Sequence, residues 1–225
     1  TMSSALRWVI TCPLHIEKLL DQELRSLGYK DLKPSAGKVS LEAPLEAGFR
    51  ICLWSRLANR VLLQLGEWDG KDGDSIYQNA REFPWQEHLQ PNQTFSISFH
   101  GTNQHIRHPH YGSQRLKDGL VDHFRDSTGI RPNVDPKNPE VSFWAHLEAD
   151  QLKLSLDFSG VSLHQRGYRQ HQGSTSLKEN LAAALLWQCG WPMKAKYGDT
   201  LLDPMCGCLL YTSPSPRDRQ KSRMP

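Results

Sequence analysis

The residue types best suited to chemistry come late in the chain, where Leu201-Leu202 runs into Asp203-Pro204-Met205-Cys206-Gly207. An apolar pair ending in a carboxylate and opening into a glycine turn reads as a buried strand followed by a ligand-facing loop. The carboxylate accepts hydrogen bonds from a hydroxyl or amino group, and a helix starting after such a turn presents free amides. No helix with an apolar stripe follows here. Cys208-Leu209-Leu210-Tyr211-Thr212-Ser213-Pro214 leads into serines, prolines and charges without period.

Two earlier clusters suit an anionic, base-bearing ligand. His164-Gln165-Arg166-Gly167-Tyr168-Arg169 places two cations, an aromatic ring and a glycine within six residues. Arginine pairs with phosphate and stacks on bases, and tyrosine offers a stacking face. Thr102-Asn103-Gln104-His105-Ile106-Arg107, followed by Tyr111, Arg115 and Lys117, puts polar and basic groups before and on a helix. Amides at that helix start can meet phosphate. Each cluster also has an ordinary reading, as a solvated linker or as an exposed loop and helix face. Asp118 and Asp122 dilute the second. His100, His105, His108 and His110 have no paired cysteines and fit no common zinc spacing, so no metal is expected. Walker, His-Glu-x-x-His and Gly-x-Ser-x-Gly motifs are absent. The seven tryptophans fall mostly on apolar faces and read as core.

The elements that must position these groups follow from periodicity. Leu6 to Thr11 reads as a strand; Pro13 starts a helix with Ile16, Leu19, Leu20, Leu24 and Leu27 inward, closed by Gly28. Strands are expected around Asp31–Ser35 and Lys38–Glu42. A second helix from Pro44 has Leu45, Phe49, Cys52, Leu53 and Leu57 on one side, and Arg60–Leu65 is a further strand. That order, βαββαβ, is ferredoxin-like. After a polar connector at Glu67–Gly73 come a helix near Ser75–Glu82, a strand Thr94–His100 and a helix Tyr111–Ser127. The helix turns Leu116, Leu120, Val121 and Phe124 inward. Val141–Leu147 and Gln151–Phe158 read as a strand pair joined at Ala149-Asp150. Ser176 and Glu179 form a capping box for a last helix that buries Leu177, Leu181, Ala184 and Leu185. The fold class is α/β (α+β).

The formal charge of +3 is local to the end of the chain. Residues 208–225 hold Arg217, Arg219, Lys221 and Arg223 against Asp218, leaving 23 basic and 23 acidic side chains elsewhere (27 − 4 and 24 − 1). Nucleic-acid binding therefore has to rest on patches. Five scattered cysteines suit reduced thiols. With no span-length apolar run and no basic-then-apolar leader, a cytoplasmic, membrane-free protein is expected.

In order along the chain stand LWSRLANRV (53–61), Ile106-Arg107 with Tyr111-Gly112 and Lys117-Asp118, Arg131-Pro132-Asn133-Val134-Asp135, LHQRGYR (163–169), LKENLAAALL (177–186) and LLDPMCG (201–207). Together these resemble the ribosomal RNA large subunit methyltransferase K/L family over residues 5–207. The resemblance implies a ferredoxin-like domain at 1–66, a THUMP domain at 67–160 and the start of a Rossmann-like methyltransferase domain at 161–207. It implies S-adenosylmethionine as cofactor, 23S ribosomal RNA as partner and the exocyclic N2 of a guanine as target. A tRNA guanine methyltransferase and a non-catalytic RNA-binding module are the alternatives.

By the same resemblance Asp203, Pro204, Cys206 and Gly207 belong to the first cofactor motif. From the two basic and aromatic clusters themselves, the RNA contacts are expected at Arg107, Tyr111, Arg115, Lys117, Arg166 and Arg169. The family continues that motif as Ser-Gly-Thr and carries an Asn-Pro-Pro-Tyr-like motif near the target amine. Neither is present here, so catalytic residues are expected beyond residue 207 and the chain by itself is expected to be inactive. The stretch CLLYTSPSPRD within 208–225 resembles a translated sequencing-library adapter, which makes the tail an expected artefact rather than part of the fold.

Overall fold

A computed structural model describes residues 5–166 and 177–202. β1 (Leu6–Thr11), α1 (Glu17–Ser26), β2 (Lys33–Ser35), β3 (Lys38–Ala43), α2 (Glu46–Trp54) and β4 (Arg60–Asp69) make the expected βαββαβ unit. Then come α3 (Gly73–Glu82), a 3-10 turn at Trp85–Glu87, β5 (Thr94–His100), α4 (Pro109–Thr128), β6 (Asn133–Val134), β7 (Val141–Glu148) and β8 (Gln151–Asp157), with α5 (Glu179–Gln188) closing this compact body. Residues from Cys189 onward belong to a second unit, in which α6 (Trp191–Lys194) and a 3-10 turn at Ala195–Tyr197 are described.

The eight strands form one sheet in the order β2-β3-β1-β4-β8-β7-β5-β6. β4 joins the halves, running antiparallel to β1 on one side and to β8 on the other. It also runs longer than periodicity suggests, continuing past Leu65 to Asp69 with a register shift between Gln64 and Gly66. Glu67, Trp68 and Asp69 look like a polar connector in isolation, and they become strand because β8 faces them.

Two apolar clusters hold the body together. Trp8, Ile10, Leu20, Leu24, Ile51 and Val61 lie at the centre of the first, and Trp85, Phe95, Leu120, Phe124, Phe143 and Leu154 at the centre of the second. Leu65 and Leu156 pack against both, so the two cores are continuous across the β4–β8 seam. The expected inward residues of α4, Leu116, Leu120, Val121 and Phe124, are all buried, and Gly129 caps the helix in the left-handed region. Of the tryptophans, Trp8 and Trp85 are fully buried, whereas Trp54 is exposed.

Helix α2 reverses the expected face. Ala47, Gly48 and Ile51 are buried, while Phe49 (61% exposed) and Leu53 (70%) point outward. The cause is the indole of Trp8. A Cβ on Gly48 would lie 2.1 Å from its Cη2, so the helix approaches on its small side. Gly48→Ala is therefore expected to cost about 2–3 kcal/mol through overpacking. Leu53→Ser should change stability by less than about 0.5 kcal/mol, as surface substitutions do. Chemical denaturation of both variants checks the ordering, and a larger loss for Leu53→Ser would refute this account of the face.

Helix α5 departs in a similar way. Asn180 and Ala184 are its buried residues, and Leu177 and Leu185 are exposed, because the helix lies against α1 and the first core on its narrow side. Ser176 lies outside the described residues. Leu201 and Leu202 are exposed and not in a strand, contrary to expectation. Among the described residues no strand pairs with them, and strand geometry depends on such a neighbour.

Candidate nucleic-acid interface

The loop from Gly101 to His108, between β5 and α4, is built around one side chain. Asn103 Nδ2 donates to Gly70 O at 3.2 Å, Lys71 O at 3.0 Å and Asp150 Oδ1 at 3.0 Å. Its Oδ1 accepts from His105 N at 3.0 Å and Ile106 N at 2.7 Å. Ile106 is fully buried and pins the loop to the second core. The chain thereby holds Gln104, His105, Arg107 and His108 in water. The same bonds bring Lys71, also exposed, to this end of the molecule.

Two helix N-termini meet the loop. At α3, Asp72 and Ser75 form a capping box, Asp72 Oδ1 accepting from Ser75 N at 2.8 Å. That bond and the Ser75 side chain hold the Asp72 carboxyl below the usual range. At α4 the N-cap is His108, with Pro109 in the first turn, no side-chain capping bond and no acid in that turn. Its positive end is thus left to other acceptors.

The predicted RNA contacts fare differently. Arg107 is exposed and makes no hydrogen bond or ion pair among the described residues. Tyr111, 45% exposed, sets its ring against Gly73, where an added Cβ would fall 2.4 Å from the phenol oxygen. Arg115 lies beside them but is tied to α3, donating from Nε to Gly73 O at 3.0 Å and from Nη2 to Asp74 Oδ1 at 2.6 Å, with its guanidinium over Tyr77. Lys117 pairs with the adjacent Asp118 at 2.9 Å.

Arg166 is not part of this rim. It sits in the ferredoxin-like half, donating to Cys52 O at 2.9 Å and Ser55 O at 2.5 Å. Arg169 and the cofactor-motif residues Asp203, Pro204, Cys206 and Gly207 lie outside the described residues. The contribution of Lys71 escaped sequence reading, since its proximity comes from Asn103 far along the chain and has no local signal.

The histidines do not converge. His100 stacks on Trp144 with ring centroids 4.0 Å apart, and His110 contacts Gln114. Burial, His146 and Arg60 hold the His100 imidazole below its ordinary range. No group of three or more His, Cys, Asp or Glu able to hold a metal occurs among the described residues. No helix there is long and apolar enough to cross a membrane. The face of the sheet away from the cores holds an open trough of about 770 Å³. Its lining cations Arg7, Lys33, Lys38 and Lys153 are matched by Asp31, Glu42, Glu67 and Glu148, so it offers phosphate no net attraction.

The order of strands and helices agrees with known domains. Residues 7–62 match the RlmL ferredoxin-like domain, residues 70–157 the THUMP domain, and residues 166–208 the RMKL-like methyltransferase domain. The chain is thus a THUMP-domain protein with the beginning of a methyltransferase fold. A ribosomal RNA large subunit methyltransferase K/L from Cellvibrio japonicus is 44% identical over 89% of this chain and 27% of its own length. Over the residues it spans, the chain is similar throughout to relatives of the ribosomal RNA large subunit methyltransferase K/L type, and it spans little more than a quarter of their length.

Among solved structures, one from Listeria monocytogenes, described as a predicted N6-adenine-specific DNA methylase, superposes with TM-score 0.70 at 27% identity, covering 81% of this chain and 48% of that one. SMU.472, described as a methyltransferase complexed with SAH, gives 0.69 at 24% identity, with coverage of 83% and 49%.

Proposed function

We propose that this chain is the RNA-holding part of an S-adenosylmethionine-dependent 23S rRNA guanine-N2 methyltransferase of the cytoplasm, partitioned at 1–66, 67–160 and 161–207. The observation that carries the reading is the ordered match to ferredoxin-like, THUMP and methyltransferase domains in relatives named for ribosomal RNA. The exposed rim of Arg107, Tyr111 and Lys71 beside the uncapped start of α4 supports it. Phosphate contacts there orient the RNA without reading its sequence, and Tyr111 offers a face to an unpaired base.

The donor set at 203–207 fits the cofactor. Asp203 would accept hydrogen bonds from its hydroxyl or amino groups, and Gly207, having no side chain, would let backbone approach closely. When bound, the cofactor supplies an electrophilic methyl group. Guanine N2 is a poor nucleophile, its lone pair being delocalised into the ring, so orientation of a flipped-out base is what the protein must add. With no Asn-Pro-Pro-Tyr-like motif to provide it, the 225-residue chain alone should bind RNA without turnover.

Two measurements test this reading. Arg107→Ala should weaken binding of protein-free 23S rRNA and reduce the slope of log affinity against log salt by about one. Tyr111→Ala should cost about 1–3 kcal/mol of binding, the range for a lost stacking face. Unchanged affinity and slope in the double variant would remove the rim from the interface. Methyl transfer by a polypeptide of the relatives' full length, with undermethylated 23S rRNA and tRNA side by side, decides the substrate. Transfer to tRNA alone would overturn the rRNA assignment.

A further inference from the structure

The end of α2 and the connection to β4, residues 52–59 (the 52–59 turn), make hydrogen bonds with three separate parts of the chain. From α1, Glu23, 3% exposed, accepts from Ser55 Oγ at 2.6 Å and Arg56 N at 2.9 Å. From the far side, Arg166 donates to Cys52 O and Ser55 O, while its own backbone N–H donates to Glu179 Oε2 at 3.1 Å. From α5, Asn180, 1% exposed, donates to Asn59 Oδ1 at 2.6 Å and to Leu57 O. Leu163 N donates to Asn59 O at 2.8 Å, and Ala184 and Trp187 of α5 pack into the first core.

This is not how a linker is built. Flexible connectors keep their polar groups in water. Here a buried amide side chain and a half-buried guanidinium satisfy backbone carbonyls that water does not reach easily, and separating the surfaces would strand them. Cys52 O is also one of the last carbonyls of α2. A cation there is favoured by the helix dipole and fills an acceptor the helix itself leaves open.

We infer that Arg166 and Asn180 form a rigid joint: they lock α5, which lies in the segment that matches the methyltransferase domain, onto residues 52–59, so that α5 and the ferredoxin-like sheet move as one body. The purpose of the joint rests on the proposed RNA methyltransferase reading; its mechanics do not. Arg166 acts through the turn and α5, and not by touching RNA.

Hydrogen exchange on the full 225-residue chain tests the joint, with Arg166→Ala, Asn180→Ala and the conservative Arg166→Lys, alongside binding of protein-free 23S rRNA. The amides of residues 57–59 and 181–188 are expected to open together in the unmutated chain. Both groups should exchange about tenfold faster in either alanine variant, Arg166→Lys should recover part of that protection, and β7 and β8 should be unaffected. RNA affinity should stay within twofold for Arg166→Ala.

Faster exchange of α5 alone, with the turn unchanged, would overturn the joint. So would loss of RNA affinity in Arg166→Ala with exchange unchanged, which would make Arg166 an RNA contact. If the unmutated chain bound no RNA, the functional reading would fail, while the exchange data would still decide the joint.

Discussion

Gly101→Ala should destabilise the protein by about 3 kcal/mol and weaken RNA binding with it. Gly101 follows β5 and launches the Asn103 loop at φ +90°, a backbone conformation that disfavours any Cβ. An added Cβ would also fall 1.9 Å from the carbonyl oxygen of Leu147. That oxygen belongs to β7, which pairs with both β5 and β8, so it cannot retreat without disturbing the sheet. The backbone cost and the overpacking cost each amount to about 1–2 kcal/mol, which together give the expected loss. Urea denaturation measures the stability, and titration with 23S rRNA at low salt measures the binding. Stability within 0.5 kcal/mol of the unmutated chain (about the spread of neutral surface changes) would show that the loop is not held this way.

The second large effect is expected at Glu23. Glu23→Ala removes the acceptor shared by the Ser55 hydroxyl and the Arg56 amide and leaves a void beneath the turn. Leaving a buried donor unpaired costs about 1–3 kcal/mol for each group, and the Ser55 hydroxyl and the Arg56 and Leu57 amides all lose this acceptor, so a loss of about 3–4 kcal/mol is expected. Glu23→Gln keeps one acceptor but turns an NH₂ group toward donors, and should fall in between. Because Ser55 also receives Arg166, Glu23→Ala and Arg166→Ala should be non-additive when combined. Strict additivity in a double-mutant cycle would separate the two halves of the turn, and a cost below 1 kcal/mol for Glu23→Ala would discard the network as a stabilising feature.

Much of the fold was legible locally. The alternation in Leu6–Thr11 and Thr94–His100, the inward spacing of Leu116, Leu120 and Phe124, and the glycine stop at Gly129 each carry their own periodicity, and all appear where expected. The polar run before α4 stood out as a candidate in the same way, from Asn, His and Arg clustered between a strand and a helix. What that run does depends on Asn103 reaching Gly70, Lys71 and Asp150, contacts that leave no trace in neighbouring residues.

The sequence by itself determined the order of elements and the ferredoxin-like arrangement, since periods of two and 3.6 residues are properties of consecutive residues, and its ordered motifs carried the resemblance that implied a THUMP domain. Tertiary structure alone decided which face of α2 is buried, how far β4 extends and what Arg166 holds. Phe49 and Leu53 form the stronger apolar stripe, yet the face buried is that of Ala47, Gly48 and Ile51, because the ring of Trp8 leaves no room for a Cβ at position 48. Glu67–Asp69 becomes strand because β8 lies beside it. Arg166, basic and next to a glycine and a tyrosine, has the local look of an RNA contact, but its nearest acceptors are carbonyls more than a hundred residues earlier. Burial, pairing and long-range hydrogen bonds depend on what lies opposite a residue, and that neighbour exists only once the chain has folded.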